Sequence, residues 1–585
     1  MTLWSQKEDY QWYLGLIGVD TFPNDSVAEM NSDVFNRTRL DFNVDPVQIL
    51  FDYKTWRMDF AATNTVICDS SGQMYAISNG TGLRDATHKY MLNGDTINYD
   101  GLWEIWGNDG IPVPQANLFL PWPGRDSIVY FSCRYVLDRG GADQGRYSII
   151  DRKANNGLGA VVDKDRVLFD GDIKYGHINA VRHANGRDWW ITYVSLRTDY
   201  IKVFLLDPSG IRNVRNQTIG PRNMWGIGTS AFSQQGDQFA LIHLYTWDTL
   251  VPVPIYLMNF DRCNGKFSNI RTDTIYKKFG DLGFGVTFSP SGDYLYVNNK
   301  YEIRQYKTHG SFTGDFTIVS NYDGFYDPIP NSGDFWKSYF GYWAQGPDGM
   351  AYMVSGVNNR FLHRMVYPDE EGQACEMRQH SVPIRNNWQS IPNFPNYRLG
   401  PLDGSNCDSL GLDNNPIAKY RYEGDTLDHL KVRFTDVSYF KPDTWHWDFG
   451  DGKSFDGKKP YWHTFPKNGV YHVCLTVSNE NSSNTLCRNV VIGTTSIADE
   501  NLPIQNERVS VFPNPTDGEV LLTLSDYIPE HGLLKVYDLF GKMVMSSRVY
   551  YGWNNVDLTM LPSGNYIYVV VDKEVRIGEG KIVKM

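Results

Sequence analysis

One short stretch of this chain concentrates side chains that could transfer protons. His177, His183 and Asp188 lie close together in sequence, with Arg182 and Arg187 between them. These residue types could form a site where loops meet. The run from His183 to Asp188 (His-Ala-Asn-Gly-Arg-Asp) is also typical of a hairpin turn whose polar side chains bond the backbone. We favour the turn, so the sequence predicts a structural role for these residues.

A second group could bind a metal ion. Asp448, Asp451 and Asp456 fall within one acidic stretch, and carboxylate oxygens are ligands that calcium prefers. Aspartates in turns also bond nearby backbone amides, which requires no ion. The turn interpretation is favoured, and calcium remains the one cofactor that the sequence suggests.

Other signatures of catalysis are missing from the sequence. It contains no Gly-x-Ser-x-Gly, no Gly-x-x-x-x-Gly-Lys and no His-Glu-x-x-His. Paired carboxylates for glycosidic cleavage cannot be picked out, because most aspartates fall in turns where aspartate is expected anyway. Several tryptophans could stack on sugars, although β-sheet cores use aromatic side chains too and a core role is favoured: Trp103, Trp106, Trp189, Trp190, Trp336 and Trp343. The sequence therefore predicts no catalytic residue and favours a non-enzymatic protein.

The bulk composition indicates the fold class. The chain has 585 residues, enough for several domains, and 14% of them are aromatic. Short alternating runs between Gly, Asp, Asn and Pro clusters predominate over segments with a 3.6-residue apolar period, which predicts an all-β protein. The net charge is −12 and no basic stripe is present, so nucleic acid is not an expected partner. No apolar stretch approaches the length of a membrane-spanning helix.

A loose repeat runs from about residue 10 to 412. In each copy a Gly/Asp turn leads into an apolar or aromatic strand, and the markers are Gly72, Gly124, Gly186, Gly236, Gly292 and Gly349. The spacing accommodates four strands plus loops, as in a β-propeller blade. Six internal markers plus a blade closed by the two ends suggest seven blades, with six as the alternative. The segment 10–21 is predicted to supply the closing strand.

A second domain is predicted between residues 416 and 493. Its hallmark is Trp447-Asp448-Phe449-Gly450-Asp451-Gly452, followed by an alternating strand at 469–477. This pattern resembles a PKD domain, which implies an immunoglobulin-like β-sandwich that acts as an extracellular spacer or interaction module. Trp447 and Phe449 should face inward, opposite Val473, Leu475 and Val477.

The last eighty or so residues, 508–585, contain three punctuated blocks. Their marker residues are Pro513, Asn514, Pro515, Gly518, Tyr537, Asp538, Gly541, Gly564 and Tyr566. Short strands separated by turns predict a second small sandwich. The blocks resemble the type A C-terminal sorting domain of type IX secretion cargo. This resemblance implies export through the periplasm to the medium or the outer cell surface, with the type IX machinery as partner.

The cysteines fit an exported protein. A hairpin centred on residues 480–481 places Cys474 opposite Cys487, within disulfide reach on the outer face of the sandwich. Cys375 and Cys407 form a second candidate pair. Cys68, Cys133 and Cys263 leave an odd count, so at least one free thiol is expected, and the absence of Cys-x-x-Cys excludes zinc-ribbon and thioredoxin sites.

The predicted order is a residual signal-peptide or N-terminal segment (1–9), a propeller (10–412), the PKD domain (416–493), a linker (494–507) and the sorting domain (508–585). Large secreted Bacteroidetes proteins look similar throughout. The resemblance implies a cellular location and a domain architecture but no activity. The favoured function is a secreted or surface binding protein whose propeller holds a glycan or a protein. A structural component of an extracellular assembly and a propeller hydrolase acting on polysaccharide or peptide are the alternatives.

Overall fold

The computed structural model describes residues 6–15, 37–52, 58–99, 107, 109–136, 141–173, 177–195, 200–220, 228–243, 252–276, 284–328, 335–425, 428–459, 462–492, 509–524, 532–538, 543–549, 552–572 and 575–584. Apart from two short 3₁₀ turns, the regular structure of these residues consists of β-strands, which confirms the all-β class. Among them there is no helix with the length and apolarity needed to cross a bilayer.

Seven antiparallel sheets follow one another along residues 11–387. The first two have three strands each: β1 (Gln11–Leu14), β2 (Arg37–Asp41) and β3 (Gln48–Asp52), then β4 (Thr65–Cys68), β5 (Met74–Ser78) and β6 (Leu83–Asp85). The third to fifth have four: β7 (Asn117–Pro121), β8 (Ser127–Val136), β9 (Gly141–Asp151) and β10 (Ala160–Ile173); β11 (Asn179–Arg182), β12 (Trp189–Val194), β13 (Tyr200–Asp207) and β14 (Gly210–Thr218); β15 (Gly228–Phe232), β16 (Gln238–His243), β17 (Pro252–Asp261) and β18 (Lys266–Tyr276).

The sixth and seventh sheets also have four strands, and a short hairpin lies between them. The strands are β19 (Gly285–Phe288), β20 (Tyr294–Asn298), β21 (Glu302–Lys307) and β22 (Phe316–Asn321); the hairpin β23 (Tyr326–Pro328) and β24 (Phe335–Lys337); and β25 (Phe340–Gln345), β26 (Ala351–Ser355), β27 (Asn359–Met365) and β28 (Met377–Asn387). The described part of the chain therefore contains seven blades, the larger of the two predicted numbers.

Neighbouring sheets pack through their first strands. β1 contacts β4, β4 contacts β7, β11 contacts β15, and β19 contacts both β15 and β25. The third and fourth sheets share one apolar cluster, and β28 of the last sheet returns to contact β1 and β2 of the first. The sheets form a closed ring, which we call the propeller.

Six glycines occupy the same position in six blades. Each lies in the turn between the first and second strands of its sheet and has a φ between +70° and +81°. Side chains rarely adopt this left-handed conformation, which glycine takes without steric cost. The glycines that revealed the repeat in the sequence thus mark one face of the propeller, which we call the turn face.

The first sheet runs in the opposite direction to the others. Phe42 N–H bonds the Tyr10 carbonyl, and the Asn43 amide bonds the carbonyl of Gly72 in a turn-face turn. β1 therefore begins at the turn face, whereas the first strands of the other sheets end there. β1 pairs with β2 in the first sheet, and β28 of the last sheet contacts both strands, so the predicted segment supplies a strand at the point where the ring closes. Residues 16–21 of that segment lie outside the described residues.

Two sandwiches follow the propeller. The first sandwich packs a sheet of β29 (Tyr420–Gly424), β30 (Lys431–Asp436) and β33 (Trp462–Thr464) on a sheet of β31 (Thr444–Asp448), β32 (Ser454–Asp456), β34 (Gly469–Ser478) and β35 (Ser483–Ile492). The second packs β36 (Val509–Phe512), β37 (Glu519–Leu524) and β40 (Gly552–Asp557) on β38 (Gly532–Asp538), β39 (Met543–Arg548), β41 (Gly564–Asp572) and β42 (Val575–Lys584). In the first sandwich Trp447, Phe449, Val473, Leu475 and Val477 are buried in one cluster.

The alternation that buries Val473, Leu475 and Val477 places Cys474 on the outer face. Its register partner is Cys487, and the two form a disulfide with a Cα–Cα distance of 4.0 Å. The loop between them is short, yet cross-linking still restricts the unfolded chain.

Replacing Cys474 and Cys487 with serine is expected to destabilise the first sandwich by about 3 kcal/mol. The midpoint of its urea transition would fall, and a reductant would lower the parent midpoint more than that of the variant, which retains only the Cys263–Cys407 bond. Val470 and Val491 provide the matched control, because they are an exposed facing pair on the same two strands. A Val470→Ser/Val491→Ser variant that lost as much stability would contradict a specific role for the disulfide.

The predicted pairing of Cys375 with Cys407 is wrong. Cys407 is bonded to Cys263, in the turn between β17 and β18, with a Cα–Cα distance of 5.6 Å. Cys375 is a buried thiol packed with Tyr296 and Met365, and burial raises its pKa to about 12. The segment 376–406 separates Cys375 from Cys407 in sequence. It leaves the last blade, so that Cys407 reaches the turn between β17 and β18 in the fifth sheet.

Candidate functional site

Residues 388–400, the axial segment, occupy the innermost position of the ring. At one end the Gln389 amide donates to the carbonyl of Gly356, in the loop between β26 and β27 on the face opposite the turn face. At the other end Arg398 forms an ion pair with Asp9, beside the start of β1, with 2.7 Å between Nη2 and Oδ2. The segment therefore runs along the propeller axis from the opposite face to the turn face.

Asn393 ties this segment to three blades. Its side-chain amide donates to the carbonyls of Asn117 (3.0 Å) and Ile178 (2.9 Å), while its backbone N–H donates to Asn64 O (2.9 Å). Its own carbonyl accepts from the Thr65 hydroxyl at 3.1 Å. Two prolines near it, Pro392 and Pro395, have no N–H, so individual side-chain and backbone hydrogen bonds rather than a strand ladder connect this segment to the blades.

A cavity of about 390 Å³ opens where the axial segment reaches the turn face. Its floor includes Phe394 and Asn396 of the axial segment. Its walls come from the first strands β11, β15, β19 and β25, and its roof from the loop at 437–443 between β30 and β31 of the first sandwich. We call this cavity the axial chamber.

Direct contacts hold the roof against the propeller. The Lys419 ammonium donates to the Tyr10 hydroxyl at 2.7 Å and to the carbonyl of Pro347 at 2.9 Å. The Tyr439 hydroxyl also donates to Pro347 O, at 3.1 Å. Pro347 lies in the β25–β26 turn, so the first sandwich sits on the turn face and closes the chamber from that side.

Aromatic rings and neutral amides line the chamber together. Phe232 and Phe394 are half-buried, as is Trp445 of the first sandwich. The amides form a chain along the wall: Gln234 donates to Gln345, and Gln345 donates to the Thr287 hydroxyl at 3.3 Å. Such a surface offers apolar faces together with hydrogen-bond donors and acceptors that carry no charge.

Four carboxylates line the chamber, and each has a partner. Asp9 pairs with Arg398, and Glu370 pairs with Arg433 at 2.9 Å and with Lys459 at 3.3 Å. Asp369 accepts the Ser291 N–H at 2.7 Å. Asp436 accepts the Ser438 N–H at 3.1 Å, and burial raises the pKa of its carboxyl. These contacts give the acids structural roles at the junction of propeller and sandwich.

Beneath the chamber lies a buried acid next to arginines. Glu8 is 2% exposed, and its Oε2 has no hydrogen-bond partner among the described residues. Burial raises its pKa to about 8, although the nearby Arg182 and Arg398 act in the opposite direction. Arg182 lies over the Trp189 ring, and burial lowers its pKa to about 10.

The histidine group found in the sequence does not form a site. His183, Asn185 and Asp188 make the β11–β12 turn: Asn185 N–H donates to His183 Nδ1 at 3.0 Å, and the Asn185 amide donates to Asp188 at 2.7 Å. Arg187 pairs with Asp188 at 2.7 Å. The structure thus uses these side chains to build the turn, while His177 is buried just before β11.

The three aspartates suggested for calcium point to separate partners. Asp448 accepts Gly450 N–H at 2.9 Å, Asp451 pairs with His463 at 2.9 Å, and Asp456 pairs with His446 at 2.6 Å. Among the described residues, the group of possible ligands that does come together is His472 with the disulfide-bonded Cys474 and Cys487, whose sulfurs are not thiolates. The motif glycine Gly450 has a φ of +70°, and a Cβ there would lie 2.7 Å from the His472 carbonyl.

The motif residues near the C-terminus belong to the second sandwich. Asn514, between Pro513 and Pro515, accepts the Val583 N–H at 2.7 Å, which joins the start of this sandwich to its last strand. The remaining marker residues lie as follows: Gly518 just before β37, Tyr537 and Asp538 at the end of β38, and Gly564 and Tyr566 in β41. Gly541, the linker 494–507, Trp103 and Trp106 lie outside the described residues.

Sequence reasoning missed the chamber. Its aromatic and amide residues are distant in sequence. Of the four described tryptophans among those considered for sugar stacking, Trp343 alone lines the cavity, with its indole N–H bonded to Asn298. The available signal was the run Pro392-Asn-Phe-Pro-Asn396, because two prolines exclude a central strand in a region otherwise made of strands.

Comparison with known protein families identifies the two sandwiches. Residues 415–492 match the profile described as PKD domain, and residues 510–584 match the profile described as Secretion system C-terminal sorting domain. No curated protein matches the chain.

Several solved structures are similar to parts of this chain. The PKD1 domain of the Vibrio cholerae metalloprotease PrtV is 25% identical over 14% of this chain and 98% of its own, with a TM-score of 0.13. Hsv2 from Kluyveromyces lactis is 9% identical over 74% of this chain and 96% of its own length, with a TM-score of 0.26. An exo-beta-1,3-galactanase from Phanerochaete chrysosporium is 7% identical over 81% of this chain and 92% of its own length, with a TM-score of 0.27. Because these TM-scores are low, the propeller assignment rests on the sheets themselves.

The sorting domain fixes the location of the protein. It directs export through the type IX secretion system, so the chain is secreted or carried on the outer surface, with a PKD domain between its propeller and its sorting domain. The disulfides fit this oxidising location.

Proposed function

We propose that this chain is a secreted, non-enzymatic binding protein whose axial chamber holds a saccharide. The observation that carries the proposal is the chamber itself, in which half-buried Phe232 and Phe394 lie beside the amides of Gln234 and Asn396. Sugar rings present apolar C–H faces and hydroxyl edges, which such a lining can satisfy at the same time. The cavity volume of about 390 Å³ lies in the usual range for small-ligand sites.

The position of the chamber supports the same proposal. Propeller loops converge at the axis, and here the axial segment closes the channel beneath, leaving a cavity rather than a pore. The carboxylates around it are bound to arginine, lysine or backbone N–H groups, which favours binding over the hydrolase alternative. In this proposal the first sandwich is both a spacer and the roof of the site.

The proposal predicts that Phe232→Leu and Gln234→Ala each weaken saccharide binding about tenfold, because each removes one stacking or hydrogen-bonding contact. Isothermal titration calorimetry of the full chain with a panel of neutral and acidic oligosaccharides would measure this. Tyr276→Leu is the matched control, since Tyr276 is 63% exposed at the end of β18 and away from the chamber.

Two outcomes would contradict the proposal. The first is that no saccharide in the panel binds. The second is that a saccharide binds and Tyr276→Leu weakens it as much as Phe232→Leu does. Product analysis of the same mixtures by chromatography would show whether any bound saccharide is cleaved, which is the result that the hydrolase alternative requires.

A further inference from the structure

The lining of the axial chamber includes two lysines that form no ion pair with a described carboxylate. Lys441 and Lys458 are the exposed lysines of its lining, and neither forms an ion pair with a described residue. The other cations of the lining are paired with acids: Arg398 with Asp9, Arg433 and Lys459 with Glu370, and Arg421 with Glu423. Positive charge is therefore available in the exposed part of the lining.

The charge around the chamber contrasts with the charge of the chain. The chain has a net charge of −12, whereas the lining contains six arginines and lysines against four aspartates and glutamates, or five acids when Glu423, the partner of Arg421, is included. An excess of one sign of charge on a concave surface attracts ligands of the opposite sign. Burial lowers the pKa of Lys441 and the neighbouring Arg262 lowers it further, whereas Asp403, Asp237 and Asp443 act in the opposite direction.

The backbone of the roof loop has an unusual conformation at the first of these lysines. Phe440 and Lys441 have φ values of +61° and +47°, the left-handed region that non-glycine residues seldom adopt. This conformation lets Phe440 pack against Gly400, where an added Cβ would lie 3.1 Å from the phenyl ring. Just after β32, the Lys458 ammonium lies 5.8 Å from the centre of the Trp445 ring, so a cation and an aromatic ring of the lining lie together.

From this arrangement we infer that the ligand of the axial chamber is an acidic saccharide whose carboxylates pair with Lys441 and Lys458 while its rings enter between Phe232 and Phe394. This inference rests on the proposed function and adds the chemical class of the ligand. A uronic acid unit fits the site, because it joins a carboxylate to a ring with apolar faces. A neutral saccharide would leave both ammonium groups without a partner.

The test compares each ligand with its own uncharged form. Oligomers of galacturonate, glucuronate and mannuronate would be titrated into the full chain by calorimetry, each as the free acid and as the methyl ester. We expect at least one free acid to bind about tenfold more tightly than its ester, because a charge-assisted hydrogen bond exceeds a neutral one. We also expect this preference to shrink as salt is added.

The variant Lys441→Met/Lys458→Met should abolish the preference for the free acid while the ester binds as before. Lys453→Met/Lys467→Met is the matched control, because both lysines are exposed on the same sandwich and neither lines the chamber. Equal binding of acid and ester, or an equal loss in the control variant, would overturn the inference but leave the saccharide proposal in place. Failure of acids, esters and neutral saccharides alike would overturn both.

Discussion

Asn393→Ala is expected to destabilise the propeller by about 2–5 kcal/mol. The substitution removes an amide that donates to the carbonyls of Asn117 and Ile178, which belong to the third and fourth blades. All of these groups are buried, so no water replaces the lost donors, and each unsatisfied acceptor costs about 1–3 kcal/mol. The loss should exceed that of an ordinary polar substitution because one side chain serves two blades.

Urea denaturation of the full chain, followed by the fluorescence of the buried propeller tryptophans, would measure the effect as a lower midpoint. Asn321→Ala is the matched control, since Asn321 is exposed on the outermost strand β22. Asn393→Asp should resemble Asn393→Ala, because a carboxylate also lacks the two donors. If Asn393→Ala unfolded at the parent midpoint, the axial segment would not be the element that joins the blades.

Glu8→Gln is expected to stabilise the protein at alkaline pH and to flatten its dependence of stability on pH. Burial raises the pKa of Glu8 from 4.5 to about 8, so the folded protein keeps a proton that the unfolded chain releases. Between these two values the folded state binds more protons, and the free energy of unfolding therefore falls as pH rises. At about 1.4 kcal/mol for each unit of pKa difference, the penalty above pH 8 reaches about 3–5 kcal/mol.

Glutamine cannot ionise, so the variant escapes this penalty while matching the shape of the protonated acid. Urea midpoints measured at about pH 5 and about pH 9 should be similar for the two proteins at the lower pH and higher for Glu8→Gln at the upper. Glu480→Gln, at the exposed tip of the β34–β35 hairpin, is the control. Parallel pH profiles for parent and Glu8→Gln would show that Glu8 is charged in the folded protein.

The local features of this chain were predictable because neighbouring residues determine them. The turn glycines from Gly72 to Gly349 mark repeats, since a positive φ at a tight turn demands glycine wherever the blade recurs. Cys474 and Cys487 are joined because the register of a single hairpin sets their separation. The PKD and sorting motifs were visible for the same reason: their residues build one compact sandwich each.

Features that depend on contacts between distant segments could not be predicted from the sequence. Cys407 pairs with Cys263 rather than Cys375 because the chain crosses the whole propeller between them. The histidine group near the β11–β12 turn has the composition of a site, but its side chains bond one another and the backbone. Composition alone does not tell a catalytic cluster from a well-bonded turn.

The sequence by itself determined the all-β class, the order of the three parts and the export of the protein, because alternation, turn residues and short motifs are properties of consecutive residues. The tertiary structure decided the blade number, the path of the axial segment and the existence of the chamber. Phe232, Phe394 and Lys441 belong to a propeller strand, the axial segment and the roof of the first sandwich, and they become neighbours through the closure of the ring and the docking of the sandwich on it. Such long-range contacts leave no periodic signal in the sequence.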